Sequence, residues 1–258
     1  MAHALNDEVF VAASAGELAA EAARRVGAAA ARALAARNRF TLVLAGGSTP
    51  RALYRLLADQ AETGEGEGLD WARTEVFFGD ERCVPPDHPS SNYRQVKEDL
   101  LDRLPLRPAA VNRIRGELSP TEAADQYADL LDRRFAGADP VFDLVMLGVG
   151  DDGHTASLFP GTEALLEKTR TVVVGEAPVP PVHRVSLTLP VLGLAREVLF
   201  VVGGAAKAPV MARILNSSSR TAVGNDPLPP ACLVEPKSGS RTWLLDREAA
   251  SLSGKEIS

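Results

Sequence analysis

The feature that most constrains the fold of this 258-residue chain is the alternation of apolar, β-type runs with amphipathic helical segments. Several runs are almost continuously apolar, as strands covered on both faces are. The alternation predicts an α/β fold, Rossmann-like and doubly wound, with a mostly parallel sheet and helices on both faces. The predicted strands are EVFVA (8–12), FTLVLAG (40–46), TEVFFGD (74–80), FDLVMLGVG (142–150), TVVVG (171–175), REVLFVVGG (196–204) and ACLVEP (231–236).

Helix start signals lie between these runs. A Ser or Thr followed three residues later by Glu is typical of a capping box, in which each side chain binds the other residue's backbone N–H. Asn38 stands where the first helix is expected to end, since Asn tolerates the left-handed conformation of a helix C-terminus. The predicted starts are Ser14 with Glu17, Ser119 with Glu122, and a third near Ser90 or Ser91.

No internal repeat and no clear linker divides the chain. The stretches 62–68 and 178–182 are rich in glycine or proline and are predicted to be surface loops. One α/β domain spanning residues 1–258 is therefore the simpler prediction, with about 250–258 as a frayed tail.

Charge and composition narrow the possible partners. The formal net charge of −6 gives no overall attraction for nucleic acid or for an anionic membrane, so neither is expected as a partner. No run approaches about 18 apolar residues, and the N-terminus lacks a cationic segment followed by an apolar one. Cys83 and Cys232 are far apart and form no C-x-x-C pair, which favours a reducing cytoplasm over an oxidising compartment.

In a doubly wound sheet, ligands bind beyond the carboxyl ends of the strands, so the loops after strands are the places to search. The first, LAGGSTPRALYRLL (44–57), has two glycines that let the backbone approach a ligand. Ser48, Thr49 and the free N–H groups of the helix start predict an anion cradle with Gly46 and Gly47. A tight turn with a good helix cap and no ligand is the alternative. The loop is not a P-loop, because G-x-x-x-x-G-K-[ST] is absent.

The second loop, FFGDERCVPPDHPSSNYR (77–94), places charged residues directly at the end of a strand. Arg82 could bind a phosphate through two hydrogen bonds, and Asp80 could orient Arg82 or a sugar hydroxyl. A solvated loop with an internal ion pair remains open.

The third loop, GVGDDGHTAS (148–157), matches the G-x-G-x-x-G pattern of dinucleotide sites but lies well inside the chain. The next β-type run is followed by Glu176 at a longer spacing than the ribose-binding acid of that fingerprint, so no dinucleotide cofactor is predicted. Instead, Asp152 beside His154 would fix the tautomer of an imidazole that acts as a general base. A structural histidine is the alternative.

Two further cations flank β-type segments. Arg184 in HRVSLTLP and Lys207 in GGAAKAP could each bind an anion or simply lie at the surface. No metal site is predicted, because the histidines have no ligand spacing among them. A nucleophilic serine is also not indicated, since neither Ser48 nor Ser157 occurs in G-x-S-x-G.

Taken together, GGSTPRALYRLL, DERCVPPDHPSSNYR, GVGDDGHTASLFPG, RVSLTLPVL and GGAAKA resemble the 6-phosphogluconolactonase family, which is related to the glucosamine-6-phosphate deaminases. The motifs keep their order from about residue 40 to about 246. The resemblance implies a metal-free enzyme that hydrolyses 6-phospho-D-glucono-1,5-lactone to 6-phosphogluconate in the oxidative pentose phosphate pathway. No cofactor is expected, and the enzyme is expected to be a monomer or a homodimer.

The resemblance also implies roles for the candidate residues. His154 would remove a proton from the attacking water, and Asp152 would orient the imidazole or contact the sugar. The phosphate would be held by Gly46–Thr49 and Arg82, with Arg184 and Lys207 adding positive charge.

Two alternatives belong to other functional classes. The related deaminases have a Glu five residues after the corresponding His, whereas Phe159 stands at that position in this chain and cannot ionise. A non-catalytic sugar-phosphate-binding regulator is the second alternative. Residues 1–39 carry no helix-turn-helix pattern or basic patch that would support it.

Overall fold

A computed structural model describes residues 7–66, 68–104, 111–216 and 227–254. Its strands form two sheets of very different size. The strands are β1 (Asp7–Ala12), β2 (Phe40–Leu44), β3 (Thr74–Phe78), β4 (Asp80–Arg82), β5 (Val111–Asn112), β6 (Leu144–Leu147), β7 (Val172–Glu176), β8 (His183–Leu187), β9 (Glu197–Val202) and β10 (Ser240–Asp246).

The large sheet has seven parallel strands in the order β1-β10-β9-β6-β2-β3-β5. Every residue of β2 and of β6 is buried, as their almost continuous apolar runs predict for central strands covered on both faces. The fold is therefore α/β and Rossmann-like with a mostly parallel sheet, and the predicted fold class is confirmed.

Helices connect the strands and supply the rest of the core, in which Phe200 stacks on Trp243 with ring centroids 4.0 Å apart. The helices are α1 (Ala15–Arg37), α2 (Arg51–Thr63), α3 (Asn92–Asp99), α4 (Pro120–Arg134), α5 (Glu163–Leu166), α6 (Leu189–Leu192), α7 (Ala208–Asn216) and α8 (Arg247–Ala250). Within the described ranges, no helix is both long enough and apolar enough to cross a membrane.

The predicted helix starts are mostly confirmed. The Ser14 side chain accepts from the Glu17 amide, and α1 ends at Asn38 in the left-handed conformation, with φ 53°. The capping box of α4 is complete between Ser119 and Glu122. Of the two serines considered for α3, Ser91 is the cap.

The start of α2 has no side-chain cap. Its N-cap is Pro50, which makes no side-chain hydrogen bond, so neither Ser48 nor Thr49 caps the helix. The Ser48 carbonyl instead accepts from the Arg51 amide in a turn, which leaves the side chains of the loop free of the capping role.

The small sheet, β4-β8-β7, is antiparallel and does not follow from the sequence pattern. TVVVG is expected to join the parallel sheet, but β7 pairs with β8, which in turn pairs with the charged strand β4. Charged or alternating segments such as 80–82 and 183–187 lack the continuous apolar pattern, and their strand pairing depends on partners distant in sequence.

Two further predictions at the C-terminal side are wrong. ACLVEP is not a strand but contains a 3-10 turn, Pro230–Leu233, in which the Cys232 amide bonds the Pro229 carbonyl. The strand of the parallel sheet in this part of the chain is β10, which lies between β1 and β9. The chain is not frayed at Ala250 or Ser253, since both are buried and the Ser253 hydroxyl donates to the Ala250 carbonyl. Residues 255–258 lie outside the described residues.

Candidate active site

A cavity of about 490 Å³ opens where β2, β3, β6 and β9 end, with the small sheet forming one wall. All ten residues predicted from the sequence line it. They are Gly46, Gly47, Ser48, Thr49, Asp80, Arg82, Asp152, His154, Arg184 and Lys207. Residues separated by up to about 160 positions thus meet at one edge of the sheet, as the topology of a doubly wound fold requires of loops that follow parallel strands.

His154 and Asp152 form the predicted pair after β6. The imidazole Nδ1 lies 2.6 Å from Asp152 Oδ1, and the same oxygen accepts from the His154 amide at 3.0 Å. Burial acts to raise the pKa of Asp152, but the hydrogen bonds and charge of His154 outweigh it and hold that pKa below its ordinary value. An ionised Asp152 places the imidazole proton on Nδ1, which leaves Nε2 as the basic nitrogen.

The glycines of GVGDDG serve the histidine. A Cβ on Gly150 would lie 2.1 Å from both Nδ1 and Cε1 of His154, so only glycine lets the imidazole fold back against the backbone. Gly153 has φ +86° and faces Pro229 at a distance that excludes a Cβ. A Cβ on Gly148 would meet no neighbour within 4 Å. The turn that presents His154 therefore explains the second and third glycines of the dinucleotide-like string.

Phe159 packs against the imidazole of His154. Its ring centroid lies 4.3 Å from that of His154, at an interplanar angle of 38°, and the phenyl group is buried. The position at which the deaminases are expected to carry Glu is thus an apolar wall of the cavity. No acid or base can act there.

Arg82 and Arg184 lie directly opposite each other on β4 and β8. The Nε of each is buried and has no hydrogen-bond partner, and among the described residues neither forms an ion pair. Arg82 donates one bond, from Nη1 to the Ser90 carbonyl. Burial lowers the pKa of Arg184 and the neighbouring Arg82 lowers it further. Two adjacent guanidinium groups, of which Arg184 is buried and Arg82 half-buried, each with an unused Nε donor, favour an anionic ligand.

The loop 45–50 enters the cavity between β2 and α2. Gly47 has φ +104°, a conformation that favours glycine, and its peptide is held at both ends by Gln95 of α3. Gln95 Oε1 accepts from the Gly47 amide and Gln95 Nε2 donates to the Gly47 carbonyl. The loop is therefore fixed beside the N-terminus of α2, where backbone N–H groups favour an anion.

Asp80 is buried at the cavity wall, but its partners differ from those considered in the sequence. Its Oδ2 accepts from Ser157 Oγ at 2.5 Å and its Oδ1 from Asn92 Nδ2 at 3.0 Å. Arg82 is not among its hydrogen-bond partners, so Asp80 does not orient that guanidinium directly. A negative charge beside the arginine pair nonetheless offsets part of their repulsion.

Lys207 follows β9 and lines the cavity. Its Nζ donates to Asp151 Oδ1 at 2.6 Å. Asp151 is largely exposed, with 73% of its side chain accessible, so this ion pair is weak and easily exchanged. Lys207 therefore stays available to an anion that enters the cavity.

Several residues of the site are not found by sequence reasoning. Asn92, Gln95 and Ser157 hold the loops that carry the predicted residues, through the bonds to Asp80 and Gly47 described above. Asn92 and Gln95 lie in the first turn of the helix after the DERCVPP loop, and this position could have identified them as residues near the site. The sequence raises Ser157 only as a nucleophile, and nothing in its motif indicates a buried hydrogen bond.

Glu81 lies next to the arginines without entering the cavity. It accepts from three backbone amides, those of Arg82, Asn92 and Tyr93, and from the Ser91 hydroxyl. Burial raises its pKa against these hydrogen bonds. Its role is to close the N-terminus of α3.

In the ranges that the structure describes, no group of three His, Cys, Asp or Glu residues could hold a metal ion.

Comparison with known proteins identifies the family of the chain. The family model of the glucosamine-6-phosphate isomerases/6-phosphogluconolactonases matches residues 13–243. The human 6-phosphogluconolactonase is 46% identical over 220 residues, which cover 84% of this chain and 82% of that protein. The Synechocystis 6-phosphogluconolactonase is 39% identical over 84% of this chain and 86% of its own length.

Solved structures give the same result. The 6-phosphogluconolactonase from Trypanosoma cruzi superposes with a TM-score of 0.81 at 30% identity, over 96% of this chain and 97% of that one. A monomeric glucosamine-6-phosphate deaminase, at 22% identity and a TM-score of 0.74, shares the fold alone.

The chain belongs to the glucosamine-6-phosphate isomerase/6-phosphogluconolactonase family. Within that family it falls with the 6-phosphogluconolactonases, the hydrolases of sugar-phosphate metabolism, and it is an enzyme of that group.

Proposed function

We propose that the enzyme hydrolyses 6-phospho-D-glucono-1,5-lactone with a water molecule activated by His154. The observation that carries this proposal is that the His154–Asp152 pair lines the same cavity as Arg82 and Arg184, whose Nε donors have no hydrogen-bond partner. Ester hydrolysis needs a base for water and positive charge for the developing oxyanion, and a phosphorylated substrate needs an anion site.

His154 acts as the general base. Its Nε2 accepts a proton as the water oxygen attacks C1 of the lactone, and Asp152 stabilises the imidazolium through Nδ1. The tetrahedral intermediate collapses with cleavage of the bond between C1 and the ring oxygen. The imidazolium returns the proton to that oxygen, which becomes a hydroxyl group of the acyclic acid.

The phosphate is held by the loop Gly46–Thr49 and by Arg82. The α2 N-terminus supplies backbone N–H groups, and the Gln95 clamp keeps Gly47 in place. Arg184 and Lys207 add positive charge, and Asp80 limits the repulsion within the arginine pair. Burial makes the charges of Arg184 and Asp80 more effective than they would be in water.

The wall formed by Phe159 supports a lactonase over a deaminase. Ring opening and deamination of an amino sugar require a further proton carrier near the histidine, whereas this chain places a phenyl ring against the imidazole. Water attack on a lactone requires no second base, since the ester is already reactive.

The decisive experiment compares two activities of the purified enzyme. Lactone disappearance above the spontaneous rate is measured beside ammonia release from glucosamine 6-phosphate. We expect the first and not the second. Ammonia release without lactone hydrolysis would overturn the proposal.

Single substitutions separate the base from the anchor. We expect His154→Ala to lower kcat by about 10²- to 10⁴-fold with little change in KM, because the proton transfer is lost while the phosphate site stays intact. Arg82→Ala should mainly raise KM. His183→Ala, an exposed histidine beside Arg184, is the matched control and should behave as wild type. Near-normal turnover of His154→Ala would exclude it as the base.

A further inference from the structure

Ser157 lies three residues after His154 and is held by all three strands of the small sheet. Its Oγ donates to Asp80 of β4 at 2.5 Å, and its amide donates to Ser186 Oγ of β8 at 3.2 Å. Its carbonyl oxygen lies against Gly175 of β7, where a Cβ would approach it to 2.6 Å. These contacts fix the position of one residue in the loop that carries the base.

The neighbouring residue is held in an unfavourable conformation. Ala156 has φ +46°, in the left-handed region that a residue with a Cβ rarely adopts. Such a conformation persists only where surrounding contacts enforce it. The hydrogen bonds of Ser157 on one side, and the bond from Thr155 Oγ1 to the Gly148 carbonyl on the other, are those contacts.

The same two strands carry the arginines. In the antiparallel pairing of β4 with β8, Asp80 lies opposite Ser186, and Arg82 lies opposite Arg184. Residues two apart on a strand share a face, so the Asp80–Ser186 pair and the arginine pair are neighbours on one surface. Ser157 therefore joins the loop of His154 to the strands that hold the anion-binding charges.

We propose that Ser157 is a positioning residue, which sets the distance between His154 and the arginine pair through the hydrogen bond from its hydroxyl to Asp80. This inference rests on the function proposed above. Ser157 takes no part in bond formation, since its hydroxyl is buried and donates to a carboxylate. Loss of this bond would let the loop relax around Ala156 and move the base away from the bound lactone.

The first test separates catalysis from binding. In Ser157→Ala we expect kcat to fall by about 10- to 100-fold, the order expected for a displacement of about 1 Å in a catalytic group. Binding of 6-phosphogluconate, measured by calorimetry, should be unchanged because the phosphate site is intact. Ser157→Thr keeps the donor and should recover most of the turnover. Equal losses in turnover and binding, or no loss in turnover, would overturn the inference.

A matched control removes a buried hydroxyl elsewhere. Thr188 is fully buried and its Oγ1 donates to the Arg170 carbonyl at 2.8 Å, away from the cavity. Thr188→Val should lower thermal stability without changing kcat. A fall in kcat like that of Ser157→Ala would mean that turnover reports general destabilisation rather than positioning.

A double-mutant cycle tests whether Ser157 acts through His154. In a His154→Ala background, Ser157→Ala should cause no further loss of turnover, because the base that it positions is absent. Full additivity of the two losses would contradict a positioning role. If Ser157→Ala does not fold, Ser186→Ala removes the hydrogen bond that the Ser157 amide donates to Ser186 Oγ, and this variant is also expected to lower kcat.

A readout without turnover keeps this inference separate from the proposed function. Amide hydrogen exchange across residues 154–158 should be faster in Ser157→Ala than in wild type, and unchanged in Thr188→Val. Absence of lactone hydrolysis by the wild type would overturn the proposed function alone. Unchanged exchange in Ser157→Ala would overturn the positioning role, whatever the substrate.

Discussion

At the scale of single residues, the position of His154 depends on the absence of a side chain at Gly150. The imidazole of His154 occupies the space where a Cβ of residue 150 would stand, and Asp152 Oδ1 lies 2.8 Å from the same point. A glycine is thus required by a side chain rather than by a phosphate. This distinction explains why a string typical of dinucleotide loops occurs in an enzyme to which we assign no dinucleotide.

Gly150→Ala is therefore expected to lower kcat by about 100-fold. The added methyl group would lie 2.1 Å from the imidazole, so His154 must move away by about 1 Å to reach van der Waals distance. Gly148→Ala is the matched control in the same loop, because its Cβ meets nothing within 4 Å. Steady-state kinetics on both variants check this. Similar activity of the two would show that the imidazole has room to move without loss.

At the scale of elements, α3 is the part that holds the site together. Its N-terminus is closed by Glu81, its first turns supply Asn92 and Gln95 to the cavity loops, and its last residue is Asp99. Asp99 accepts from Arg51 and from Arg55 of α2 at 2.6 and 2.9 Å. The start of α2, where we propose that the phosphate binds, is thereby tied to α3 both through the preceding loop and through Arg51 and Arg55.

Asp99→Asn should lower the free energy of unfolding by about 1–3 kcal/mol at neutral pH, because a buried charged acceptor of two arginines is lost. Burial raises the pKa of Asp99, but Arg51 and Arg55 outweigh burial and leave that pKa below its ordinary value. A carboxylate with a lowered pKa stabilises the folded state at pH values above its ordinary pKa. This stabilisation is lost as the pH falls through the lowered pKa.

The difference in stability between wild type and Asp99→Asn should thus be constant near neutral pH and shrink in acid. Urea denaturation at several pH values measures it. Asp102→Asn, which breaks an exposed pair with Lys97, is the control and should change stability little at any pH. A difference that grows on acidification would contradict the assignment.

At the scale of the whole molecule, both sheets contribute to one cavity. The parallel sheet supplies the loops of Gly46–Thr49, His154 and Lys207, while the small sheet supplies Arg82 and Arg184. We propose that the chain unfolds as one domain, because a single cluster of buried side chains extends through both sheets. Ligand binding should then stabilise the whole chain and not a part of it.

Saturation with 6-phosphogluconate at about 100 times its Kd should raise the free energy of unfolding by about 2.7 kcal/mol. Calorimetry should record one transition that moves to higher temperature. His154→Ala should keep this shift, since the base contributes little to binding, whereas Arg184→Ala should lose much of it. Two transitions, of which only one moves, would refute the single-domain proposal.

The sequence by itself determined the central architecture and the composition of the site. Continuous apolar runs such as 40–44 and 144–147 specify buried strands, local side-chain caps specify where α1 and α4 begin, and residues after strands must meet at one edge. These are local patterns or direct consequences of parallel topology. All ten predicted site residues therefore line the cavity.

Only the tertiary structure decided the small sheet and the contacts within the site. β4 is charged and three residues long, so it exists only because β8 pairs with it. The partners of Asp80 come from α3 and from the loop of Ser157, 77 residues away in sequence. Hydrogen bonds between such distant segments leave no periodic pattern in the sequence, because they depend on the positions that the segments take in the folded structure.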